Sequence, residues 1–214
     1  MAVEKQKRGK KTVDILIAAA EQSLGERGYD AFSIQDVVER SGVSVGSIYH
    51  HFANRNALID AVFTAFMDES IREIRQLDPE AASLEEGLYK ILGPTRDRFL
   101  YHQPLYRAIV ERASLNLEHW QPMRELRYQY EAKAMEVLAP FLTDLPRPVA
   151  EYRLQIIMQS SLALLTHIAV LDSAPLRLGG DALLNHLVHA AKAILADSKL
   201  LPTGSESPVS GRRD

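Results

Sequence analysis

Residues 33–52 read SIQDVVERSGVSVGSIYHHF, and the spacing within this stretch decides the fold. Ser33 is placed to cap a short helix carrying Ile34, Val37 and Val38 at i, i+3 and i+4, with Asp36 favourable in its first turn. Ser41-Gly42-Val43 then makes a tight turn, and a second short helix follows with Ile48 and Phe52 one turn apart. Two short helices joined by a glycine-containing turn, after a longer helix, form a helix-turn-helix. Ile34, Val37, Val38, Val43, Ile48, Phe52 and Leu58 supply a shared core that fixes the angle between the helices. Ser44, Ser47, Tyr49, His50 and His51 are left on the opposite face of the second helix. Small polar residues there let a helix enter a major groove about 12 Å wide and reach base edges.

Outward from this stretch the chain keeps the helical period, with no alternating strand run. A first helix is predicted from Thr12 to Arg27, with Ile15, Leu16, Ala19, Ala20 and Leu24 as its apolar stripe and Gly28 as its stop. Asn54 can cap a helix over 56–77, and Ser83-Leu84-Glu85-Glu86 is a capping box opening another that Gly93-Pro94 should kink. Pro104, Pro122 and Pro148 sit where first turns begin, giving helices near 104–115, 122–142 and 148–172. A last amphipathic helix spans 181–199. The expectation is an all-α chain of nine helices, with a disordered basic arm at 1–11 and a disordered tail at 200–214.

A length of 214 residues allows one large domain or two small ones sharing a core, and 46% apolar with 25% charged residues is ordinary globular usage. A net charge of -3 and a pI near 6.2 speak against a nucleic-acid coat protein or a polybasic membrane binder. With no cysteine, a disulfide scaffold, a cysteine nucleophile and thiolate metal sites are excluded. This fits a cytoplasmic protein, and the basic N-terminus carries no apolar run of a signal peptide. Residues 154–171 lack any Asp, Glu, Lys or Arg, yet Gln155, Gln159, Ser160, Ser161, Thr166 and His167 favour a helix buried by protein over a membrane span.

The order and spacing of several segments resemble the TetR family of bacterial transcriptional regulators. They are Ile15-Leu16-x-Ala18-Ala19, Gly28-Tyr29-Asp30-Ala31-Phe32-Ser33-Ile34, Val37-Val38 and Ser41-Gly42-Val43-Ser44. Gly46-Ser47-Ile48-Tyr49-His50-His51-Phe52, Asn54-Arg55 and Ala57-Leu58-Ile59 complete the match over about 12–62. The resemblance implies a TetR-like homodimer with a DNA-binding domain at 12–56 and a ligand-binding and dimerisation domain at 57–199. It implies a repressor that leaves a palindromic double-stranded operator when a small-molecule effector binds. Ser44, Val45, Ser47, Tyr49 and His50 fall where such a recognition helix meets DNA, and Gly46 allows close backbone approach. Ser33 and Arg55, where the family more often has lysine, would contact phosphate.

Charge is unevenly placed. Lys5, Lys7, Arg8, Lys10 and Lys11 face only Glu4 in the first eleven residues. Across 12–60, Arg27, Arg40 and Arg55 stand against Asp14, Glu21, Glu26, Asp30, Asp36, Glu39 and Asp60. The arm, with Lys10 and Lys11 nearest the fold, is therefore expected to supply phosphate or minor-groove contacts while the acids face away.

Two rival functions stay open at this point. Gly42-Val43-Ser44-Val45-Gly46 spells G-x-S-x-G, so Ser44 could be a hydrolase nucleophile, although that elbow needs a strand before it. The head could also be inactive on a protein that only sequesters a ligand. No metal or cofactor set is recognised; His186 and His189 lack a carboxylate-rich ligand set. For a small apolar or aromatic effector the candidate lining is Phe99, Tyr106, Trp120, Met123, Tyr128 and Met158. Apolar surface on the last two long helices predicts a two-fold interface with Leu164, His167, Leu183, Leu184, Leu187, Val188, Ala191 and Ile194.

Overall fold

The computed structural model describes residues 2–114, 121–171 and 175–202. Nine α-helices follow one another there: α1 (Ala2–Ala31), α2 (Ile34–Ser41), α3 (Val45–His51), α4 (Arg55–Gln76), α5 (Leu84–Tyr101), α6 (Gln103–Ser114), α7 (Gln121–Leu138), α8 (Arg147–Leu171) and α9 (Asp181–Ala196). A short 3-10 turn, Ala139–Phe141, ends α7, and no strand occurs among the described residues.

Local chemistry explains the head. The Ser33 hydroxyl accepts the Asp36 N–H at 3.2 Å while the Ser33 N–H donates to the Asp36 carboxylate at 3.0 Å, a reciprocal cap worth about 1 kcal/mol. At the other end of α2, Gly42 adopts φ 68°, and its N–H closes on Val38 O at 2.9 Å. Ser44 caps α3 and Asn54 caps α4, as their types favour. Leu16, Ala20, Leu24, Val37, Ile48, Leu58 and Phe32 close one core over α1 to α4. Ile15, expected in that stripe, is exposed instead, because Leu16, Ala19 and Ala20 already fill the inward arc of α1.

The first helix differs from expectation. Residues 2–11 continue α1 rather than forming a disordered arm; Glu4 to Lys11 contains no proline, and Gly9 is the one poor helix former among Glu, Gln, Lys and Arg. Gly28, at φ 77° and ψ 175°, breaks the helical path, and the chain turns there to set Tyr29 and Phe32 into the core.

The body is a layer of helices in which α1 packs on α6, α4 on α7, and α5 and α8 both meet α9. Gly87 permits the closest approach: a Cβ there would lie 2.6 Å from Leu138 Cδ2. Long polar side chains, most of them cationic, donate to the last carbonyls of several helices. Lys133 reaches Leu77 O at 3.2 Å, Arg107 and Gln103 reach Ala169 O at 2.7 and 3.0 Å, and buried Arg153 reaches Leu195 O at 2.6 Å.

Among the described residues α8 alone is long and apolar enough to cross a membrane. Leu154, Ile157, Met158, Leu165 and Ile168 of α8 face the protein core, whereas Gln159, Ser160, Ala163 and His167 are exposed. It is buried on one face, not on most sides.

Four expected interface residues belong to the interior. Leu183, Leu187, Val188 and Ala191 are the buried face of α9 against α5 and α8, so they cannot meet a second chain. A stripe at helical spacing has the same appearance whether it faces its own core or a partner. Leu164, Leu184 and Ile194 are half-buried, and His167 is exposed. The 203–214 part of the expected tail lies outside the described residues.

Candidate nucleic-acid interface and effector recess

α3 is a seven-residue helix held from behind. Ile48 is fully buried and Phe52, at its C-cap, nearly so, which fixes the roll of the helix. The Ser44 hydroxyl accepts the Ser47 N–H at 3.3 Å, and the Ser44 carbonyl accepts the N–H groups of Ser47 and Ile48. Facing outward are Ser44, Val45, Gly46, Tyr49 and His50, with Val45 41% and Tyr49 50% exposed. No carboxylate sits on α3, and open space surrounds the Gly46 Cα. A large aromatic held half out of the surface beside a valine and an imidazole can make base-edge and thymine-methyl contacts.

The same geometry removes Ser44 from nucleophile duty. It stands at a helix-to-helix turn with its oxygen engaged in capping, not at a strand-to-helix elbow.

Three of the seven acids in the head are neutralised by ion pairs. Arg40 pairs with Glu26 at 2.5 Å, Arg27 with Asp36 at 3.0 Å, and Arg112 of α6 with Asp60 at 3.1 Å. The Ser33 hydroxyl, then the Arg27 and Arg40 guanidiniums, hold the Asp36 carboxyl below its ordinary range. Arg27 and Arg40 already stand in the balance counted along the sequence, so only Arg112, which comes from α6, lowers the head's excess of acid.

Two expected phosphate contacts have other partners. Arg55 lies over the Tyr29 and Phe32 rings, donates from Nε to Phe32 O at 3.0 Å, and also donates to Tyr29 O. It staples the turn after α1 to the start of α4. The Ser33 hydroxyl donates to Asp36 at 2.7 Å. Lys10 and Lys11 are exposed on α1.

In the body, Phe99 of α5 stacks on Tyr106 of α6 with centroids 3.8 Å apart and planes 10° apart. Tyr106 also meets Phe66 of α4 edge-on at 5.4 Å. Phe99 and Tyr106, with Thr95, Met123, Leu126 and Tyr130, surround an inner cavity of only about 10 Å³. Burial pushes both phenols, Tyr106 and Tyr130, above the usual tyrosine range. An outer recess of about 310 Å³ opens between α7 and α8 and shares Met123, Arg127 and Leu162 with the inner cavity. On the other side of α7 lies a larger recess of about 760 Å³, walled by Met135, Leu142, Leu145 and Leu154 and carrying Glu131, Glu136 and Glu151.

Phe99, Tyr106 and Met123 are thus brought together as expected, while Tyr128 borders the acidic recess. Met158 is buried in the core and lines neither recess, and Trp120 falls outside the described residues. Thr95, Leu126, Arg127, Tyr130 and Leu162 were missed. The signal was present: Met123, Leu126 and Tyr130 are spaced by three and four and share one face of α7, from which Tyr128 departs.

Next to this cavity sits a buried arginine. Arg98 donates to Phe66 O at 3.0 Å, pairs with Glu73 and lies 4.2 Å from the Phe66 ring centroid. His102, against the same ring, is pushed down by burial and then by the Arg98 charge, while burial and then Glu69 push Glu21 of α1 up. Polar groups from α1, α4, α5 and α6 therefore meet at one junction.

Comparison with known proteins agrees with the head. Residues 16–62 match the model of the tetR family of bacterial regulatory proteins. The HTH-type transcriptional repressor KstR2 of Rhodococcus jostii is 31% identical over 71 residues, covering 33% of this chain and 34% of that protein. The HTH-type transcriptional activator FasR of Mycolicibacterium smegmatis is 33% identical over 69 residues, covering 32% and 31%. The matched segment thus spans about a third of the length of these relatives. Over 86% of this chain and 80% of the other, the fold matches a tetR-family regulator from Streptomyces coelicolor with a TM-score of 0.68 and 21% identity.

Proposed function

We propose that this chain, whose residues 16–62 match the tetR family of bacterial regulatory proteins, is a homodimeric transcriptional repressor released from a palindromic operator by a small-molecule effector. The observation that carries the reading is α3. A helix capped by Ser44, backed by buried Ile48 and presenting Val45, Tyr49 and His50 without a carboxylate is built to lie in a major groove. Phosphate contacts from Lys10 and Lys11 add affinity but no sequence preference.

We place the effector in the space around Phe99, Tyr106 and Met123. Tyr106 sits on α6, and α6 packs along α1 of the head. An effector that separates Phe99 from Tyr106 moves α6 and with it the head, and it acts only through its differential affinity for the two arrangements. The two-fold interface is assigned to the outward faces of α8 and α9, around Ala163, Leu164 and His167 on α8 and His186, His189 and Ala193 on α9. Such a dimer sets two copies of α3 in successive major grooves, roughly 34–36 Å apart. As a regulator of chromosomal DNA it works in the cytoplasm.

Selection of bound duplexes from a random pool tests the reading. The expected product is an inverted repeat whose half-sites are centred about one helical turn apart. A pool that yields no enriched palindrome, with only weak salt-sensitive binding, would instead favour a ligand-sequestering protein.

A further inference from the structure

The two recesses flanking α7 carry opposite charge. The larger one holds three glutamates against one arginine, Arg147. The outer recess between α7 and α8 holds Arg124 and Arg127 with no carboxylate in its lining. Arg127 shares its charge with Glu131 of the larger recess, whereas Arg124 donates to the neutral Gln121 amide. We propose that this recess is the entrance half of the effector site and that the effector is a small organic anion, a carboxylate on an aromatic or aliphatic body, which enters body first. The proposal rests on the effector reading above and specifies its chemistry.

The geometry supplies a head and a tail. Arg124 and Arg127 stand one turn apart on α7, so their guanidiniums can share one anion. Across from them, α8 offers Gln159 and Thr166, neutral hydrogen-bonding groups that bring no competing negative charge. Among the described residues the partners of the two arginines are one neutral amide and one carboxylate. Arg124 donates to the Gln121 amide oxygen, and Arg127 meets Glu131 at 3.3 Å.

Met123 and Leu162 belong to both the outer recess and the inner cavity, so they form the partition between them. Both are flexible, apolar and only half-buried. Their displacement joins the outer 310 Å³ to the space at the Phe99–Tyr106 stack. The outer volume is at the lower end of the roughly 300–1,000 Å³ range of small-molecule sites, which suits a small acid. A cation would meet two like charges at the entrance. A neutral ligand would leave both guanidiniums without gain.

Calorimetric titration of the full chain with matched acid, amide and amine probes on naphthalene and decyl skeletons tests this. The acid of at least one skeleton should bind about tenfold tighter than its amide, and the amine weakest. In R124Q/R127Q the acid should fall to the affinity of the amide, and R124K/R127K should restore part of the preference. Equal binding of acid and amide, tighter binding of the amine, no acid binding at millimolar concentration, or a preference that survives R124Q/R127Q would each overturn the proposal. Loss of the anion preference with operator binding intact refutes the effector class and leaves the DNA reading standing. An acid that binds with the expected preference but leaves operator affinity unchanged confirms the site and refutes its role as effector entrance.

Discussion

The head and the body of this protein keep their functional residues in opposite places. In the head, a buried Ile48 holds an outward row of Val45, Tyr49 and His50. In the body, Phe99 and Tyr106 are almost wholly buried and stacked on each other around a space of about 10 Å³. A surface that reads DNA must be rigid and displayed before its target arrives. A site that answers to a ligand must be able to open, and the work of opening is what couples it to something else. Under the proposed function, the head presents a surface and the body changes state.

The largest effect expected from a single change lies in the body. Leu187 is buried at 3% on the inner face of α9. Leu187→Ala should lower unfolding free energy by about 3 kcal/mol, within the usual cost of emptying a core leucine site. Chemical denaturation checks the loss, and light scattering at the same concentration should still report a dimer. A well-folded monomer would return Leu187 to the interface.

The head should respond in the opposite manner. Replacing Tyr49 and His50 together with Ala should cost about 100-fold in specific operator affinity, two contacts at the lower end of about 1–3 kcal/mol each. Circular dichroism and the melting temperature should stay unchanged, because both side chains are exposed. A fall in stability of similar size would mean that Tyr49 packs rather than reads.

These expectations also explain what could be read from the chain beforehand. The head was legible because stereochemistry ties residue type to place: Gly42 at φ 68°, serines at two helix N-caps, and apolar residues at fixed offsets from the turn. The body offered only periodicity, and periodicity does not say which neighbour a face meets. Leu183 and Leu187 were therefore expected at a subunit boundary and are found inside. The recess that holds Arg124 and Arg127 is not legible in sequence, because its other wall comes from Gln159 to Thr166 of α8. Arg55 shows the same limit within the head. Its charge could be read from the sequence, but the two carbonyls that engage it become neighbours only once α1 and α4 have packed.

Arg55 gives the next largest test. Removing a guanidinium that binds two backbone carbonyls and covers two rings should cost about 2 kcal/mol in Arg55→Ala. Arg55→Lys should recover little of this, since one ammonium cannot bridge both carbonyls and stack on the rings. Thermal melts of the two variants measure it. Full recovery by lysine, together with a salt dependence of operator binding that is lowered only in the alanine variant, would show that charge towards phosphate is what matters at this position.

The smallest effect belongs to the first helix. Lys10 and Lys11 extend α1 beyond the packed head and are exposed, so they contribute nothing to the core. If each lies on a phosphate, Lys10→Ala with Lys11→Ala should reduce the slope of log affinity against log salt by about 1.8, from about 0.9 per contact. The loss should fall equally on the selected operator and on unrelated duplexes, because phosphate contacts carry no sequence preference. Lys10 and Lys11 would then act by charge alone, beside an α3 that acts by shape. An unchanged slope would leave all recognition to α3, whereas a loss confined to the operator would place one of these lysines in a groove.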